Sequence, residues 1–179
     1  MIQSERLDLI PMTPAFLRAS IAGDLGEAQK HLRLSVPANW PDIRDVLVLR
    51  LQQLESDPEL QPWLLRAIAL RESRMMIGHI GCHTAPSAGA VEFGFTVFSP
   101  HRRRGYAREA ASALMRWAHE AHGVRRFVVS VRPDNVASQG LVAQLGFVRI
   151  GSQADELDGV EDILEIAYVS SNNPLQRIR

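Results

Sequence analysis

Residues 92–109 read EFGFTVFSPHRRRGYARE, and this stretch decides how the remainder of the chain is to be taken. Residues 91–98 alternate and are rich in β-branched and aromatic side chains, which predicts a strand. Ser99-Pro100 ends it, because proline cannot donate to a ladder and restricts its predecessor. Residues 105–120 then place Ala107, Ala110, Ala111, Leu114, Trp117 and Ala118 on one helical face. Between strand and helix stand Arg102, Arg103, Arg104 and Gly105, and Arg108 follows in the first turn. The first N–H groups of a helix have no intrahelical partner and carry partial positive charge. A phosphate can sit on them, and a glycine there lets the backbone come close. Formal net charge is +0, so the arginine cluster is local and not part of a general basicity. A solvated basic loop that starts a helix is the alternative reading.

Outward from that stretch, the bulk properties describe one ordinary globular domain. The chain has 179 residues, 46% hydrophobic and 22% charged, enough for a full core. Neutral charge argues against a nucleic-acid partner, since such domains are usually basic. The single cysteine, Cys82, cannot form an internal disulfide and fits a reducing cytoplasm. Neither a membrane-length apolar run nor a signal peptide is evident, so no membrane partner is expected. We expect a single domain over residues 1–170, as a monomer or homodimer, and a disordered tail over residues 171–179.

Several motifs then converge. Arg102-Arg103-Arg104-Gly105-Tyr106-Ala107 resembles the Q/R-x-x-G-x-G/A pyrophosphate loop of the GNAT N-acetyltransferase superfamily. Glu92-Phe93-Gly94-Phe95 precedes it, and Asn135, Ser138 and Leu145-Gly146-Phe147 follow it in matching order. With the opening Ser4-Glu5-Arg6-Leu7, these resemble the branch typified by ribosomal-protein N-terminal acetyltransferases. The likeness is strongest over about residues 77–151 and weak over residues 23–62. It implies an α+β fold: a mixed, mostly antiparallel sheet, splayed at the cofactor site, with helices on both faces.

Order along the chain agrees. Residues 5–11 read as a first strand, and Thr13-Pro14 as the cap and first position of a helix running to about residue 22. Asp24 and Glu27 suggest a capping box for a second helix ending near residue 34. Residues 41–55 read as a third helix, ended by Asp57-Pro58. Residues 63–71 and 75–84 predict a hairpin in which Gly78 and Gly81 mark close backbone packing or a bulge. After the long helix, Gly123 is a C-cap. Residues 126–132 form a buried strand and residues 135–144 a helix. Late strands over residues 147–151 and 163–169 flank an acidic loop over residues 155–162.

The resemblance implies acetyl-CoA as cosubstrate and a primary amine as acceptor, a small molecule or a protein N-terminus. It places the pyrophosphate on Arg102, Arg103, Arg104, Gly105, Tyr106, Ala107 and Arg108. It places a backbone donor for the thioester carbonyl within Thr96, Val97 and Phe98. Asn135 would hold the pantetheine arm, and Ser138 would lie near the sulfur; helix capping is the other use of both. Many members carry a tyrosine general acid where this chain has Val142, so Ser138 or a water must protonate the thiolate. Glu92 is the candidate base, acting through a water. Alternation sets it on one strand face with Gly94 and Thr96, and a solvent-facing glutamate is the alternative. A free α-amine costs about 1 kcal/mol to deprotonate at pH 7 and a lysine about 4.6 kcal/mol, so the first needs less help. Trp40 and Trp63 read as core more readily than as pocket walls. His79 and His83 share a face without a metal-ligand spacing, and no metal is expected. Cys82 faces the other way and reads as a core residue. Two other classes compete with an enzyme: a non-catalytic acyl-CoA-binding or sensing domain, favoured by Val142, and a nucleotide-phosphate module, disfavoured by the lack of a Walker loop.

Overall fold

In the computed structural model, residues 1–38, 40–155 and 159–168 are described, and the expected tail at residues 171–179 lies outside them. Eight strands form one sheet: β1 (Ile2–Gln3), β2 (Leu7–Pro11), β3 (Arg66–Leu70), β4 (Met76–Cys82), β5 (Ala90–Val97), β6 (Arg126–Val131), β7 (Val148–Asp155) and β8 (Gly159–Ala167). Their order is β1-β2-β3-β4-β5-β6-β8-β7. Every pairing is antiparallel except β5 with β6, which is parallel.

Helices cover both faces, as expected. On one side α4 (Tyr106–His122) and α5 (Val136–Leu145) pack on Leu7, Leu9, Ile68, Phe93 and Phe127. On the other, α1 (Pro14–Ile21), α2 (Leu25–Leu32) and α3 (Arg44–Ser56) pack on Ala67, Ala69 and Met76. Burial on both faces explains why β3 reads as the unbroken apolar run Ala67-Ile68-Ala69. The caps form as their residue types require. Thr13 accepts from the Phe16 N–H, Asp24 accepts from the Glu27 N–H, and Gly123 closes α4 in a left-handed conformation.

Four boundaries differ from the sequence reading. The strand β1 was not expected; two residues are too short to carry a pattern. The third helix starts at Arg44, because Trp40–Ile43 forms a 3-10 turn tied down by the Trp40 indole donating to Ser20 Oγ. The first hairpin strand starts at Arg66, because Trp63 N–H bonds back to Leu60 O. In the acidic stretch residues 159–162 belong to β8, with Gln153 opposite Glu161 and Asp155 opposite Gly159, and residues 156–158 lie outside the described residues. The charge of Asp162 is accommodated because it accepts from Arg149 and Gln139.

Two features of the sheet position the site. The first is the close approach of β4 to β5 on one side and to the segment before β3 on the other. A Cβ built on Gly78 would lie 2.1 Å from Thr96 O, and one on Gly81 2.7 Å from Leu64 O. We expect Gly78→Ala to destabilise the fold by about 1–3 kcal/mol through overpacking, read as a lower Tm. Gly140→Ala, in α5 with nothing within 4 Å, should instead leave Tm unchanged or raise it.

The second feature is an opening. The pairing of β5 with β6 covers only Ala90↔Arg126, Val91↔Phe127 and Glu92↔Val128. Beyond Glu92, β5 stays with β4 as far as Val97, while β6 stays with β8 as far as Val131. The sheet therefore splays between the two strands, as the resemblance implied. No helix among the described residues is long and apolar enough to cross a membrane.

Candidate active site

The basic loop forms one end of the splay. Ser99–His101 makes a 3-10 turn, and Arg103 (φ 61°) and Gly105 (φ 79°) both take left-handed conformations. Gly105 is the N-cap of α4 and supplies no side-chain bond. The first bond of α4 is Glu109 N–H to Gly105 O, so no side chain occupies the N–H groups of Tyr106, Ala107 and Arg108.

A residue from the start of the chain holds this loop. Arg6 Nη1 donates to Arg104 O, and its guanidinium lies 4.5 Å over the Tyr106 ring. Its backbone N–H and Nε both donate to Glu109, each at 2.7 Å, and Ser4 Oγ adds a third bond at 2.7 Å. The seven expected phosphate contacts therefore separate. Arg102 Nε is spent on Val97 O at 2.9 Å, fastening the loop to β5. The Tyr106 ring faces Arg6, and the Ala107 side chain packs on the core, so Ala107 has only its backbone N–H to offer. Arg103, Arg104 and Arg108 carry side chains without an acid partner among the described residues.

The expected carbonyl donor set, Thr96 to Phe98, also narrows. Phe98 N–H donates to Ile77 O, and Glu92 O accepts from His83 N–H. By alternation, even-numbered residues of β5 turn their backbone groups to β4, and odd-numbered ones face the opening. Val97 thus presents its N–H to the splay, whereas Thr96 and Phe98 do not. Thr96 lines the cleft by its side chain alone.

That cleft encloses about 460 Å³ between β4, β5, β6 and the start of α5, within the range of small-ligand sites. Glu92 stands at its edge, half-buried. Ser130 Oγ on β6 donates to Glu92 Oε1 at 2.7 Å, and Gln153 Nε2 donates to Ser130 Oγ at 3.3 Å. His83 Nδ1 lies 3.6 Å from the same carboxylate oxygen, an ion-pair distance longer than a hydrogen bond. The His83 Nε2 is turned toward Gly94, where a Cβ would come within 3.3 Å of it. The His83 ring, more than the Ser130 hydroxyl, holds the Glu92 carboxyl below the ordinary carboxylate range, against the opposing effect of burial.

At the far wall, Asn135 Oδ1 caps α5 by accepting from Ser138 N–H at 3.2 Å. The capping alternative is therefore met for Asn135, while both Asn135 and Ser138 line the cleft. Val142 is fully buried in the core beneath them. The other side chains weighed from the sequence are core. Trp40 packs against Phe16 and His79, and Trp63 against Trp117 and His122. Burial pulls the His79 imidazole down to about 4 and pushes the Cys82 thiol up to about 12, so neither a charged ring nor a thiolate forms there at neutral pH. No cluster of metal ligands occurs among the described residues.

His83, Ser130 and Arg6 were not assigned these places from the sequence. Ser130 is the one polar residue between buried valines of β6, a faint signal. His83 carries a signal only once β4 is aligned to β5.

Residues 6–148 match the family described as Acetyltransferase (GNAT) domain. An uncharacterized N-acetyltransferase of Bacillus subtilis, YjdG, is 27% identical over 158 residues, which are 83% of this chain and 89% of that one. The fold is shared with a ribosomal-protein-S5-alanine acetyltransferase from Vibrio fischeri, at TM-score 0.62 and 16% identity, covering 92% of this chain and 94% of that one. It is shared too with the microcin C7 self-immunity acetyltransferase MccE, solved with acetyl-CoA and AMP, at TM-score 0.65 and 14% identity over 92% of this chain and 94% of that one.

Proposed function

The chain belongs to the GNAT acetyltransferase family, and we propose that it moves the acetyl group of acetyl-CoA to a primary amine by direct attack. The observation that carries this reading is the splay between β5 and β6, which opens beside the uncapped start of α4. Phosphate oxygens fit the first N–H groups of α4, with Arg103, Arg104 and Arg108 supplying charge. The Asn135 amide and the Ser138 hydroxyl fit the polar groups of a pantetheine arm. Once bound, acetyl-CoA supplies an electrophilic thioester carbonyl.

Val97 N–H then faces the place where negative charge develops on the carbonyl oxygen. The attacking amine must be neutral, and Glu92 with His83 takes its proton. Glu92 is ionised throughout the neutral range, because its pKa is depressed, and its charge faces Nδ1 of the ring across 3.6 Å. That leaves His83 Nε2 as the exposed acceptor, with Glu92 balancing the charge an accepted proton brings. An α-amine suits such a pair best, since it needs only about 1 kcal/mol to lose its proton at pH 7. With Val142 buried, the Ser138 hydroxyl or a water protonates the departing thiolate. That departure costs roughly 2 kcal/mol at pH 7 for a thiol of pKa near 8.5, so a strong acid is not required.

Two measurements test the reading. Acetyl-CoA should raise Tm. Free thiol should appear when peptide N-termini, polyamines, amino acids and aminoglycosides are offered together. A raised Tm with no thiol release from any acceptor would leave a binding or sensing domain in its place.

A further inference from the structure

The helix α3 buries one cation against the cleft. Arg50 is 9% exposed, and its Nη1 donates to Gln53 Oε1 at 2.7 Å and to His83 O at 3.0 Å. Gln53 Nε2 donates to the same carbonyl at 3.2 Å and so braces the pair. Arg50 lines the cleft together with Val46 and His83. Among the described residues its Nε and Nη2 meet no acceptor, and no carboxylate pairs with it. The other arginine on the cleft, Arg132, is already neutralised by Asp134 at 2.9 Å. Desolvation lowers the Arg50 pKa, and among the described residues the titratable group acting on it is the buried, neutral Cys82. A guanidinium taken from water without a counter-ion costs free energy that a bound anion would return.

We propose that Arg50 binds a carboxylate of the acceptor, so that the amine acetylated by this chain belongs to an amino acid or a comparably small amino-carboxylate. This deepens the acetyl-transfer reading and rests on it. Spacing supports the size. His83 joins the two groups: its carbonyl receives Arg50, and its ring meets Glu92. An amine at the Glu92–His83 pair therefore has its anionic group within about one residue's reach. The chemistry supports a carboxylate over a phosphate. Nε and Nη2 form a planar fork that matches two coplanar oxygens. Glu161 also lines the cleft, and Glu92 stands beside it, so a dianion would meet two acids against one unpaired cation.

The test uses the whole protein with CoA present, and reads Tm and thiol release separately. The probes are common L-amino acids and β-alanine, each against its own carboxamide, with phosphoethanolamine as the phosphate-bearing counterpart. At least one amino acid should raise Tm where its carboxamide does not. With acetyl-CoA, its kcat/KM should exceed that of the carboxamide by about tenfold to a hundredfold, the value of a charge-assisted pair. Arg50→Met should erase that preference and leave acetyl-CoA affinity unchanged, while Arg50→Lys should restore part of it. Equal response to acids and carboxamides in the unaltered protein would overturn the proposal, whatever the variants do. So would preference for phosphoethanolamine, or no Tm response to any amino acid. Thiol release from neutral amines alone would overturn the Arg50 assignment and keep acetyl transfer. A carboxylate-dependent Tm shift without thiol release from any acceptor would do the reverse.

Discussion

Replacing Glu92 with glutamine is expected to lower kcat/KM by about 10²–10⁴, the usual worth of a general base. Acetyl-CoA affinity should be unaffected, because the carboxylate stands at the opposite end of the splay from the α4 N-terminus. The substitution keeps shape and leaves the amide oxygen to accept from Ser130 Oγ. What is lost is the charge that faces His83 and balances a proton upon it. The deficit should shrink as pH rises, since the amine then deprotonates unaided. For an α-amine, recovery should be nearly complete near pH ~9, about one unit above its pKa; for a lysine it would still be incomplete there. Stability provides a separate check. The folded pKa of Glu92 lies below its unfolded value, so its carboxylate stabilises the fold above the unfolded pKa. That contribution disappears as pH falls through the folded value. The variant's Tm deficit should thus be present at neutral pH and vanish in acid. A rate profile parallel to the unaltered protein from about pH 6 to 9 would remove the pair from the mechanism, leaving proximity and the Val97 N–H.

Gly105→Val is expected to weaken acetyl-CoA binding by roughly 10²–10⁴, by a route that removes no charge. Gly105 has φ +79°, where a β-branched residue carries about 1–3 kcal/mol of strain. Its Cβ would also come within 3.4 Å of Arg6 Nη2, whose neighbour Nη1 holds Arg104 O. Relief of the strain means moving the turn, and the N–H groups aimed at a phosphate move with it. Each charge-assisted bond misdirected is worth about 1.5–3 kcal/mol. Removing the side chains of Arg104 and Arg108 together should act differently, lowering affinity and flattening its salt dependence. Titration of acetyl-CoA at two ionic strengths separates the effects: the glycine variant loses affinity with its salt dependence kept. Affinity retained in Gly105→Val would refute a backbone cradle at this turn. Arg102 is not suited to this comparison, since its Nε anchors Val97 O and its loss would disturb β5 as well.

What the sequence by itself determined was local. The strand, turn and helix of residues 92–109, the caps at Thr13, Asp24 and Gly123, and the close packing at Gly78 all follow from chemistry within a few residues or from the absence of a Cβ. Likewise the face of β5 that carries Glu92 follows from alternation alone. Tertiary structure decided everything that depends on register between strands distant in sequence. The β4–β5 register brings His83 to Glu92. The place where β5 leaves β6 brings Ser130 to the same carboxylate and turns Val97 N–H, but not that of Thr96 or Phe98, to the opening. Arg6 reaches the turn before α4, and Arg50 on α3 reaches the His83 carbonyl, across gaps of 98 and 33 residues. No local pattern records such meetings, because a side chain's rotamers and periodicity are the same whichever partner lies across the cleft. Packing selects the partner, by closing two cores on opposite faces of one sheet and leaving the splay between them.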